Sequence, residues 1–119
     1  MTLAIVEETE TTDGGRTAAR LDGPLDRTTF AAFETWLDGR LARAGVRTIL
    51  LDLSGLTVLT AAGAGVFIGR WPLAAERGIR LAIYGIPAAL MPKAALYGLP
   101  DLVGPYPDRS AAEAALRDG

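Results

Sequence analysis

The run Leu50-Leu51-Asp52-Leu53-Ser54-Gly55-Leu56-Thr57-Val58-Leu59-Thr60-Ala61-Ala62-Gly63-Ala64-Gly65-Val66 decides the fold of this chain. Thr48 to Leu53 is almost continuously apolar, the pattern of a strand covered on both faces and therefore of a central strand. A short turn follows, and Thr60 reads as the cap of a glycine-rich helix from about Ala61 to Arg77, with Gly78 as its stop.

Working outward toward the N-terminus, Leu3 to Glu8 is β-prone, Thr12-Asp13-Gly14-Gly15 is a turn signal, and Thr17 to Leu21 alternates loosely, so a β-hairpin is expected. Beyond Gly23-Pro24-Leu25-Asp26, Thr28 or Thr29 would cap a helix whose Phe30, Phe33, Leu37 and Leu41 share one face and whose stop is Gly45. Toward the C-terminus, Ile79 to Tyr84 reads as a strand and Pro87 as the opening of a helix to about Tyr97. Leu102 to Tyr106 is a last short strand, and Ser110-Ala111-Ala112-Glu113 is a capping box that starts a terminal helix.

The predicted order is β-β-α-β-α-β-α-β-α: one α/β domain over residues 1–119, with an N-terminal hairpin, a mixed but mostly parallel sheet and about four helices. Pro72 falls inside the second helix, where it removes a backbone bond and costs about 3 kcal/mol, so a kink or unwound turn is expected near Phe67 to Trp71.

Composition narrows the function. With 119 residues, half of them apolar, the chain has material for one core. Twelve basic against fourteen acidic side chains give no field that favours nucleic acid or an anionic membrane. There is no cysteine and no histidine, which removes thiolate chemistry, histidine base catalysis and the usual zinc ligand sets, so no metal, no cofactor and no enzymatic activity are expected. No apolar run is long enough to span a bilayer, and the chain reads as cytoplasmic.

Individual residues have bland and sharp readings side by side. Gly63-Ala64-Gly65-Val66-Phe67-Ile68-Gly69 contains Gly-x-Gly-x-x-x-Gly, but no acidic residue ends the next strand to hold a ribose, and close packing of helix on sheet explains the glycines better. Asp52 reads as a turn-stabilising residue rather than a catalytic acid. Phe30 and Phe33 belong to the core. Trp71 is either packed on the sheet or exposed as a docking anchor.

The order and motifs together resemble the STAS superfamily, in particular the bacterial anti-sigma factor antagonists. Gly23-Pro24-Leu25-Asp26 is similar to that family's Gly-x-Leu-Asp signature, Leu50 to Gly55 to its central strand, and Gly98-Leu99-Pro100-Asp101-Leu102 to its Gly-Leu segment. In that family the strand-to-helix turn reads Asp-Ser-Ser-Gly or Asp-Ser-Thr-Gly, and the first serine is phosphorylated by the anti-sigma factor. Thr60-Ala61-Ala62-Gly63 stands there in this chain. Ala61 has no oxygen to accept phosphate, so the usual switch cannot operate at that position.

The resemblance implies a partner-binding surface made by Asp26, Thr60, Ala61, Ala62, Gly63 and Ala64. The implied partner is an anti-sigma factor with a histidine-kinase-like ATPase fold. An alternative is the STAS subunit of a lipid ABC transport complex, bound to its ATPase subunit. A further alternative is a small-ligand or nucleotide sensor using the amides of Ala61 to Gly63. Thr60 is either a displaced acceptor of modification or, more simply, a helix cap.

Overall fold

Residues 49–53 form the middle of a five-stranded sheet in the computed structural model, which describes residues 2–8, 15–99 and 105–118. The strands are β1 (Ala4–Glu8), β2 (Arg16–Leu25), β3 (Thr48–Leu59), β4 (Arg80–Tyr84) and β5 (Pro105–Tyr106), and they lie side by side in that order. β1 runs antiparallel to β2, and β2 to β5 are mutually parallel. The helices are α1 (Phe30–Leu41), α2 (Ala61–Glu76), α3 (Met91–Leu96) and α4 (Arg109–Asp118), with a 3₁₀ turn at Ala88–Leu90 ahead of α3. The alternation of elements read from the sequence is the one observed.

Alternate residues of a strand point to opposite faces, and the two faces of β3 meet different partners. Ile49, Leu51 and Leu53 lie with Phe33 and Leu37 of α1, Ala64 and Phe67 of α2, and Ala94 of α3. Leu50 lies instead with Ala18, Ala82, Tyr84 and Ala112 of α4. Among the described helices three cover one face of the sheet and α4 the other, which is why residues 49–51 are apolar without alternation. Phe33 and Phe67 meet at 5.1 Å between ring centres, and Arg70 of α2 forks onto Asp38 of α1 at 2.8 and 3.0 Å and reaches Glu34 at 3.2 Å. Arg40 clips β1 to α1 by a bidentate pair with Glu7 at 2.6 and 2.7 Å while lying 5.3 Å from the Trp36 ring centre. The Arg40 guanidinium holds the Glu7 carboxyl below the usual glutamate range.

Several expectations need correction. β3 does not stop at Leu53 for a turn but runs to Leu59. Gly55 serves an irregular register, because a Cβ there would lie 1.9 Å from Asp22 Oδ1 of β2. Asp52 is accordingly inside the strand, where its Oδ1 accepts the amide of Ser54 at 2.9 Å. β2 likewise continues through Gly23-Pro24 to Leu25. Gly23 has φ 114° and a Cβ there would meet the carbonyl oxygen of Thr2 at 2.5 Å, so only glycine suits the position.

α2 is helical without interruption through Pro72, so the unwound turn expected at residues 67–71 is absent. The bond that proline removes would have ended on the carbonyl of Ile68. Both residues are on the exposed side, where water can take the donor's place. Pro87 precedes only the 3₁₀ turn, and the α-helix begins at Met91. α4 begins at Arg109, one residue before Ser110, and its cap is Asp108, whose Oδ1 accepts the amide of Ala111 at 2.9 Å. Trp71 is half-buried against the main core. The turn expected at residues 12–14 and the strand expected at residues 102–104 lie outside the described residues. No helix among the described residues is long and apolar enough to cross a membrane.

Candidate functional site

The parallel pairing of β2 with β3 brings their carboxyl ends to one rim, and both following helices start there. Leu25 pairs with Leu59, and the Thr60 amide donates to the Leu25 carbonyl at 3.1 Å. Asp26, one residue beyond Leu25, therefore sits beside Thr60, although 33 residues of chain separate them. In open α/β sheets this rim is where functional groups converge.

Asp26 is held by its own loop. Its Oδ1 accepts the Thr28 amide at 2.8 Å and the Thr28 hydroxyl at 2.7 Å, and its carbonyl accepts the amides of Thr29 and Phe30. These bonds, led by the Thr28 hydroxyl, keep the carboxyl below the usual aspartate range. Thr29 is the residue before α1, but its hydroxyl donates to the Pro24 carbonyl at 2.8 Å and accepts the Asp26 amide at 3.0 Å instead of capping the helix. The loop 24–30 is thereby fixed with the Asp26 carboxylate at its surface.

Thr60 has extended backbone angles, φ −114° and ψ 171°, and stands at the N-cap of α2. Its side chain makes no cap hydrogen bond, contrary to the expectation of a capping threonine. Oγ1 is buried and without a partner. A buried hydroxyl that bonds nothing has lost its water without recompense. Thr60→Val, which keeps the shape and deletes the orphan oxygen, is therefore expected to raise stability by about 1 kcal/mol. Thermal denaturation checks this, and a lowered midpoint would mean that Oγ1 has a partner in solution.

The six residues singled out in the sequence are brought together but divide by depth. Asp26, Thr60 and Ala62 are partly exposed and Ala61 is exposed, whereas Gly63 and Ala64 are buried. Gly63 is where α2 touches the sheet: a Cβ on it would lie 2.6 Å from both the Cγ and the carbonyl oxygen of Leu25. The packing explanation of the glycines holds for Gly63 alone, since nothing lies within 4 Å of a Cβ on Gly65 or Gly69.

Those two glycines belong to a surface that the sequence reading missed. Ala61, Gly65, Ile68, Gly69 and Pro72 recur at helical spacing and are all exposed, Ile68 by 39%. The exposed side of α2 thus carries no charge for three turns, where a surface helix ordinarily carries several. The signal was available as an apolar pattern on both sides of one helix. Among the described residues no group of His, Cys, Asp and Glu could hold a metal ion.

Comparison with known proteins places these features in context. The family described as STAS domain matches residues 6–112. Among curated protein sequences none matches this chain. Of solved structures, an anti-sigma factor antagonist from Mycobacterium paratuberculosis superposes with a TM-score of 0.82 at 20% identity, over 98% of this chain and 95% of that one. The anti-sigma factor antagonist SpoIIAA in its unphosphorylated form gives 0.77 at 18% identity, over 98% of each chain. The STAS domain of a SulP transporter from Vibrio cholerae gives 0.70 at 23% identity, over 92% and 86%. At these identities the likeness is one of fold.

Proposed function

This chain belongs to the STAS domain family, and from that premise we propose that it is a non-enzymatic binding module acting as an anti-sigma factor antagonist that cannot be switched off by phosphate at residue 61. The observation that carries this reading is the uncharged, exposed side of α2, which opens at Ala61 on the rim beside Asp26. An apolar helix side of this kind is stable in water only at a cost that a docked partner removes. The partner is an anti-sigma factor with a histidine-kinase-like ATPase fold. Since alanine offers no oxygen, the complex persists in the presence of ATP.

Titration calorimetry of the purified chain against the anti-sigma factors of its own cell tests this. The chain should bind one of them, and Ala61→Arg and Ile68→Glu should each weaken that binding at least about tenfold while leaving the circular dichroism unchanged. Absence of binding to every such factor overturns the reading.

A second reading is a STAS subunit of a transport complex docked to an ABC transporter ATPase subunit. The missing hydroxyl at residue 61 is compatible with a permanently assembled subunit, and the transporter STAS domain of the same fold makes the class relevant. The same titration with ATPase subunits encoded beside this chain's gene separates the two.

A further inference from the structure

The two sides of the sheet are covered very differently. α1, α2 and α3 close one side over a large continuous core, whereas α4 alone among the described helices lies on the other. Beneath α4 is a separate small cluster, Ala18, Leu50, Ala82 and Tyr84, met by Ala112 with Leu116 at the margin. Of the α4 side chains Ala112 alone is buried there and Leu116 is partly so, with Tyr106 of β5 also packed against the cluster. The apolar surface that α4 itself contributes is correspondingly slight, because a methyl group buries little surface. Burial nonetheless pushes the Tyr84 hydroxyl above its usual range, so the seat is covered when α4 is in place.

What α4 lacks in apolar contact it has in charge. Arg16 of β2 donates to Glu113 at 2.6 Å, Arg109 pairs with Glu8 of β1 and lies 3.7 Å from Glu113, and Arg80 of β4 donates to the Leu116 carbonyl. Strands β1, β2 and β4 thus each hold the helix through one arginine bond. The side chains in these ion pairs are 17 to 40% exposed, so solvent and salt reach them. The main core shares none of these residues.

We infer that α4 is a releasable cover, held to the sheet by an ionic latch centred on Glu113 and able to open as a unit while the rest of the fold stays intact. Opening uncovers the seat of Ala18, Leu50, Ala82 and Tyr84, a second apolar surface on the side of the sheet opposite α2. Local opening below the free energy of global unfolding is the expected behaviour of an element with few buried apolar contacts.

Hydrogen exchange followed by mass spectrometry on the full chain tests this. Glu113→Gln, which removes the negative charge that faces both Arg16 and Arg109, should speed exchange of residues 109–117 about tenfold and leave β3 and α2 within twofold. Raising sodium chloride from 0.05 to 1 M should act in the same direction on the unchanged chain, and Arg80→Ala should do so from the other end of the helix. Exchange of α4 that changes in step with β3, or that responds neither to salt nor to the substitutions, overturns the proposal.

Discussion

Incubated with ATP and the anti-sigma kinase that binds it, the Thr60→Asp, Ala61→Ser double variant is expected to take up one phosphate on residue 61, while the unchanged chain takes up none there. The effect is all or none because it turns on the presence of an oxygen. Ala61 is the first residue of a 16-residue helix and is exposed, so a serine hydroxyl at that position lies within reach of a docked kinase. The product is favoured as well: the first amides of a helix have no intrahelical acceptor, and the helix dipole attracts negative charge to this end. Aspartate at residue 60 can turn to those amides as a cap, a bond that the buried Thr60 hydroxyl does not make. Once formed, the phosphate adds roughly two negative charges to an otherwise uncharged helix side and next to Asp26, so binding should fall by at least about tenfold. Intact-protein mass spectrometry with fragmentation locates the phosphate. A double variant that binds the kinase and yet stays unmodified would mean that the turn is no longer shaped for transfer.

The sheet was legible in the sequence because its centre is an apolar run broken only by Asp52, and residues 49–53 could be read without knowing their neighbours. The α1 stripe was legible for the same reason, and Phe33, Leu37 and Leu41 are all buried. What escaped the reading depends on groups distant in sequence. Ser54-Gly55 looks like a turn until Asp22 of the adjacent strand is seen lying over Gly55. Gly63, Gly65 and Gly69 look alike in the chain, but only Gly63 has another strand's backbone behind it. Pro72 removes a backbone bond wherever it stands in a helix, but the orientation of that bond toward water is a property of the assembled helix. At the rim, depth divides the residues that the resemblance singles out: Ala61 stands outward while Ala64 is fully buried.

The rim and the exposed side of α2 are joined through one glycine, and Gly63→Ala is accordingly expected to destabilise the protein by about 3 kcal/mol or more. The new methyl would lie 2.6 Å from Leu25 Cγ and 2.6 Å from the Leu25 carbonyl oxygen, well inside van der Waals contact. Neither atom can retreat easily. The Leu25 side chain is fully buried, and its carbonyl accepts the Thr60 amide, the bond that sets Asp26 beside the start of α2. The helix start must then lift from β2, carrying Ala61 away from Asp26, so the folded fraction should also bind its partner more weakly. Gly65→Ala and Gly69→Ala provide the contrast, because nothing lies within 4 Å of the added methyl and alanine is the better helix former by about 1 kcal/mol. Each of these should raise the thermal midpoint while Gly63→Ala lowers it by about ten degrees or more. Three chemically identical substitutions in one helix thus divide by sign according to whether a strand lies behind the glycine. Equal effects at all three would show that α2 is not seated on Leu25.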